Sequence, residues 1–199
     1  MRVPKIVIPF YTQERWQNWI DKVKESDFKV DDQEKGAIFV NMEDDIVLAC
    51  LKIIAKYDKK LISTDDALQH ITEVKEIVLK KIEQISEDID MMLESTQISL
   101  IAVFASCECY IYNKYQKTKS FGKLLKAALK AEKDDNMGVV LENIAEIGAN
   151  ILAGGKLKEK DFENVPEGIV AEWLDGVDSI IAAMVGDTSY KYDEPDNGH

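Results

Sequence analysis

Residues 41–51 (NMEDDIVLACL) and 96–108 (TQISLIAVFASCE) are apolar around almost the whole circumference of a helix, yet each stretch carries carboxylates. A helix of that kind has to be buried on several sides. A carboxylate buried with it must be paired, protonated or metal-bound, because a bare charge in an apolar interior is very costly. These two stretches therefore define the centre of the fold and hold its candidate chemistry.

The rest of the chain is compatible with long helices around that centre. The four prolines stand at 4, 9, 166 and 195, so none interrupts residues 10–165. Strand-type alternation is nearly absent. The expected fold is all-α: one compact bundle of about seven helices over residues 1–187, with residues 32–57 and 86–112 as two central apolar helices, followed by an acidic, mobile tail at 188–199.

Local signals set the elements. Thr12 is a good N-cap for a first helix, with Tyr11 and Trp16 placed for a hydrophobic staple and Trp16, Trp19, Ile20 and Val23 forming its apolar stripe. On the second helix, Asn41, Asp45, Lys52 and Lys56 align as a narrow polar strip. Ser63 with Asp66 has capping-box spacing for a third helix, and Ser86 opens a fourth. One side of that fourth helix carries Ser95, Ser99, Ala102 and Ser106, small enough for a neighbouring helix to approach closely. After a lysine-rich connection, Phe121, Leu124, Leu125, Ala128 and Leu129 mark a fifth helix. Val140, Ile144, Ile147 and Ile151 mark a sixth, ended by Gly154-Gly155 in left-handed C-cap geometry. A short helical piece is expected at 161–164. A last helix lies between Pro166 and Gly186, with Ile169, Trp173, Val177, Ile180 and Met184 on its inner face.

Composition narrows the function classes. The net charge is -12, the pI is about 4.7, and the only arginines are Arg2 and Arg15, which argues against nucleic-acid binding. No apolar run of about 18 residues is evident and no signal pattern opens the chain, so no membrane association is expected. Cys50, Cys107 and Cys109 lack framework spacing and read as reduced, core-filling thiols of a cytoplasmic protein.

The candidate sites follow from the helical wheels. Glu43 and Asp44 fall among apolar positions, while Asp45 joins the polar strip. Glu108 shares a face with Gln97, Ile101 and Phe104. Glu43, Asp44, Glu108 and Gln97 are thus a candidate buried carboxylate cluster between two helices, of the kind that holds metals in some bundles. No Glu-x-x-His occurs and His70 is the sole internal histidine, which removes a di-iron site. His70 has Asp66 and Glu73 as local partners and reads as a surface histidine. An all-oxygen magnesium site is the alternative. The all-helical nucleotide pyrophosphatases pair E-E-x-x-E with E-x-x-D. Here the first motif lacks its third carboxylate at Val47, and the second, Glu87 to Asp90, sits at a helix start where capping explains it. Glu172, Asp175 and Asp178, with Ser179, lie opposite Trp173 and form either a solvated acidic face or a docking face for a basic partner. No nucleophile elbow, phosphate-binding loop or dinucleotide fingerprint is present. No residue is assigned as catalytic or as a metal ligand, and no cofactor is expected outside the magnesium alternative.

In residues 10–19 (FYTQERWQNW), 41–45 (NMEDD), 74–79 (VKEIVL), Thr96-Gln97 with Phe104 and Glu108, and 172–179 (EWLDGVDS), the chain resembles an archaeal family known as domain of unknown function 2150. The similarity extends from Tyr11 to Met184. Glu43 stands where that family has Gln, so no role is carried to that position. The resemblance implies a cytoplasmic archaeal protein and supplies no activity. The expected function is that of a non-enzymatic protein-protein interaction or regulatory module, with another protein as partner and self-association open. The alternative is the magnesium-dependent, pyrophosphatase-like enzyme.

Overall fold

Short polar side chains start the helices, and left-handed residues stop them. The computed structural model describes residues 9–31, 34–157, 164–186 and 190; among these there are seven α-helices and no strand. They are α1 (Gln13–Glu25), α2 (Ala37–Asp58), α3 (Thr64–Val78), α4 (Glu87–Ile111), α5 (Phe121–Lys133), α6 (Met137–Leu152) and α7 (Ile169–Gly186). Thr12, Ser63, Ser86 and Asn136 each accept a backbone N–H in the first turn, and Ser63 with Asp66 makes the full capping box. Lys60, Asn113, Asp135 and Gly154 have positive φ just past α2, α4, α5 and α6. At α6 the Gly154 N–H reaches Ile151 O at 2.9 Å and the Gly155 N–H reaches Asn150 O at 2.8 Å, a Schellman closure.

Two boundaries differ from the sequence reading. α2 begins at Ala37, five residues later than expected, because Gly36 offers no capping side chain and the residues before it form turns. Of the expected short helix at 161–164, only Asn164 is described, and it sits in a turn with φ 64°. The tail at 188–199 lies outside the described residues except Tyr190, which is buried against the core.

α4 is the hub of the bundle. It packs against α2, α3, α6 and α7, while α5 lies mainly on α6 and α1 rests on α2 and α3. α2 and α4 run in the same direction: Glu43 meets Ser99 near one end, and the Tyr57 hydroxyl donates to Ile111 O near the other. Val103 and Phe104 of α4 and Met42 and Ile46 of α2 have no exposed surface. The membrane expectation needs one correction, since α4 is long and apolar enough to cross a bilayer by length and composition. Here it is enclosed by four other helices, as a central core helix is.

The small-residue side of α4 does what its composition allows. A Cβ on Gly176 of α7 would lie 2.2 Å from Ser99 O, and one on Gly148 of α6 would lie 2.0 Å from Ser106 Oγ. Ser99, Ala102 and Ser106 are buried beneath these crossings, whereas Ser95, one turn earlier, is exposed. The Ser106 hydroxyl donates to Ala102 O at 2.6 Å and so needs no partner on α6. Neither crossing has room for a methyl group. Gly176→Ala and Gly148→Ala should each cost about 1–3 kcal/mol or more in urea denaturation, as overpacking does. Gly122→Ala, where a Cβ meets nothing within 4 Å, should be neutral or stabilising. Equal behaviour of the three variants would contradict this packing.

Candidate functional site

The carboxylates carried by the two apolar helices go to separate partners. Glu43 sits at the junction of α2, α4 and α7. Its Oε1 accepts from the Ser99 hydroxyl at 2.7 Å and from the Ser179 hydroxyl at 2.9 Å. Burial pushes its pKa up; the two serine hydrogen bonds oppose the shift, and the negative charges of Asp44 and Asp175 add to it. Asp44, next to it, is half-buried, and burial raises its pKa as well.

Glu108 is a different case. It is part-exposed and pairs with Lys75 of α3 at 3.0 Å. Gln97 donates to the carbonyls of Val78 at 2.7 Å and Lys80 at 3.0 Å, satisfying the C-terminal end of α3. The expected cluster of Glu43, Asp44, Glu108 and Gln97 is therefore not assembled. Glu108 lies nine residues beyond Ser99 on α4, roughly 13 Å along the axis and half a turn around it. That separation exceeds any shared coordination sphere, in which oxygen ligands stand about 2.0–2.6 Å from one ion. Among the described residues, no group of three or more His, Cys, Asp or Glu side chains is placed to hold a metal ion.

Asp45 also departs from its expected place on a polar strip. It is the latch between α1 and α2. Its Oδ2 accepts from Trp19 Nε1 at 2.8 Å and from Arg15 Nε at 2.8 Å, and its Oδ1 takes a second Arg15 N–H. This bidentate pair uses the planar fork that lysine lacks. The buried Tyr11 hydroxyl lies near Asp45 without a well-formed hydrogen bond; burial first, and that charge second, raise its pKa. The wheel missed the latch because Arg15 and Trp19 belong to another helix.

Glu146 was not singled out from the sequence, although it is the most buried charged side chain among the described residues. It accepts from Gln116 N at 2.9 Å and from Lys119 Nζ at 2.7 Å, tying the α4–α5 connection to α6. A lone Glu between Ala145 and Ile147, downstream of a lysine-rich connection, was the available signal. His70 has the expected local partner, with Nδ1 2.9 Å from Glu73 Oε2, and its ring lies 4.8 Å from that of Phe10. Cys50 and Cys107 are buried free thiols, and Cys109 is half-buried.

The acidic face of α7 is present as an outward surface. Asp175 and Asp178 are exposed and Glu172 is half-buried, and no lysine or arginine among the described residues pairs with any of the three. Partial burial raises the Asp175 pKa, and the Asp178 and Glu172 charges raise it further.

The Glu43 geometry gives a pH-dependent prediction. A carboxyl whose pKa is higher folded than unfolded contributes stability below the ordinary glutamate range and loses it as pH rises through the folded value. Glu43→Gln keeps an oxygen to accept both serine hydrogen bonds and removes the charge. It should stabilise the fold by about 1 kcal/mol at pH 7, with the difference shrinking toward pH 4. Urea melts of both proteins at the two pH values check this, and a variant less stable than the parent at pH 7 would contradict it.

No curated protein and no solved structure matches the chain. The family model described as an uncharacterised protein conserved in archaea (DUF2150) matches residues 9–193. That span takes in all seven helices, so the chain belongs to this archaeal family.

Proposed function

We propose that the protein is a non-enzymatic interaction module whose α7 face, Glu172, Asp175 and Asp178, docks a basic partner protein. The observation that carries this reading is the crowding of three carboxylates with no cation among the described residues to offset them. Partial burial first, and the neighbouring Asp178 and Glu172 charges second, raise the Asp175 pKa; a cationic surface would offset that crowding of charge. α7 suits this role mechanically. Gly176 holds its inner side against the α4 backbone, so the acidic face is presented on a fixed element. Asp44, half-buried on α2, borders this face.

The magnesium-dependent enzyme gains no support from this arrangement, since Glu43 and Glu108 face opposite sides of α4 and each has its own partner. The interaction reading predicts salt-sensitive binding. The parent protein should capture a basic protein from native extract at low ionic strength and release it near 0.5 M salt, where exposed charges are screened within a few ångströms. Glu172→Gln/Asp175→Asn/Asp178→Asn should lose that partner while melting no lower than the parent. Identical capture by the two proteins would overturn the assignment of this face.

A further inference from the structure

The overall charge of -12 conceals a strongly basic region. From Lys114 to Lys133, seven lysines stand against one carboxylate, Glu132. Four of them, Lys123, Lys126, Lys130 and Lys133, recur at spacings of 3, 4 and 3 on α5 and are exposed. They form a stripe about 15 Å long. The opposite side of α5 is buried through Leu124, Ala128 and Ala131.

At the N-terminal end of this stripe lies a cavity of about 240 Å³ between the start of α5 and the end of α6. Phe121, Leu124, Ile147 and Ile151 are among its apolar walls, and Lys117, Lys119 and Lys156 also line it. Lys119 is already held by Glu146 at 2.7 Å. Lys117 and Lys156 have no ion-pair partner among the described residues. Asn150, which also lines it, donates its Nδ2 to Glu146 O at 2.8 Å. The Glu146 contacts to Gln116 N and Lys119 fix the connection that carries Lys117, so this side of the cavity is formed in advance.

We infer that this cavity is a binding site for a small organic anion with an apolar body, its anionic group at Lys117 and Lys156 and its body against Leu124, Ile147 and Ile151. Concave apolar walls with a few convergent polar groups are the general form of a small-molecule site. The lysine stripe raises the local concentration of anions at the mouth even though the molecule as a whole is acidic. An inorganic anion would leave the apolar walls unused. A neutral apolar molecule would leave both ammonium groups unpaired. The ligand class therefore combines a carboxylate, sulfonate or phosphate with a hydrocarbon or aromatic portion.

The test uses 8-anilinonaphthalene-1-sulfonate and octanoate as probes on the full chain. The sulfonate should bind saturably at one site with enhanced fluorescence, and octanoate should displace it, whereas inorganic phosphate at the same concentration should not. Lys117→Gln/Lys156→Gln should weaken both probes by about tenfold or more, the scale of losing charge-assisted contacts. Lys24→Gln, on the exposed side of α1, should leave binding unchanged. Thermal melts establish that all variants are folded. Non-saturating fluorescence, displacement by phosphate alone, or equal affinity in the double variant and the parent would each overturn the site.

Discussion

The structure depends on how closely two backbones approach α4. At Gly176 and Gly148 the approach leaves no space for a single methyl group, so α7 and α6 are seated on α4 by main-chain and serine atoms. Such contact gains dispersion energy along the whole crossing and fixes the register of both helices, because sliding either helix by one residue would drive a side chain into α4. Everything of functional interest follows from that placement. α7 turns its acidic side outward and brings Ser179 to Glu43. α6 brings Glu146 to the α4–α5 connection and provides one wall of the basic cavity.

The charged groups are distributed by the same geometry. Three inward-turned carboxylates each have local partners: Glu43 joins three helices through two serines, Asp45 latches α1 through Arg15 and Trp19, and Glu146 anchors a connection. Charge without an ion-pair partner among the described residues lies outside, negative on α7 and positive along α5. These two surfaces of opposite charge carry the two proposals.

Much of the fold was legible because helices are specified locally. The caps at Thr12, Ser63 and Ser86, the glycine stop at Gly154 and the apolar faces of α3, α6 and α7 all act within a few residues. The small-residue side of α4 was legible too, since close approach is a property of side-chain size. Which helix would use it was not, as Gly148 and Gly176 lie far away in sequence. The candidate carboxylate cluster failed for a related reason. A helical wheel shows which residues share a face of one helix but not what faces them across an interface. Glu108 looked buried on its own helix, and Lys75 of α3 supplies the missing partner. Asp45 looked like a surface residue, and Arg15 reaches it from α1.

Native-state hydrogen exchange tests the central claim most directly, because it reads the local stability of each helix in one experiment. If α4 is the element on which the bundle is built, the amides from Val103 to Cys107 should exchange only through global unfolding, with the full free energy of the fold. The amides of α1, a peripheral helix that rests on α2 and α3 through Trp16, Ile20 and Val23 and is latched at Asp45, should exchange through a smaller opening. Protection in the centre of α4 no greater than that in α1 would contradict the account.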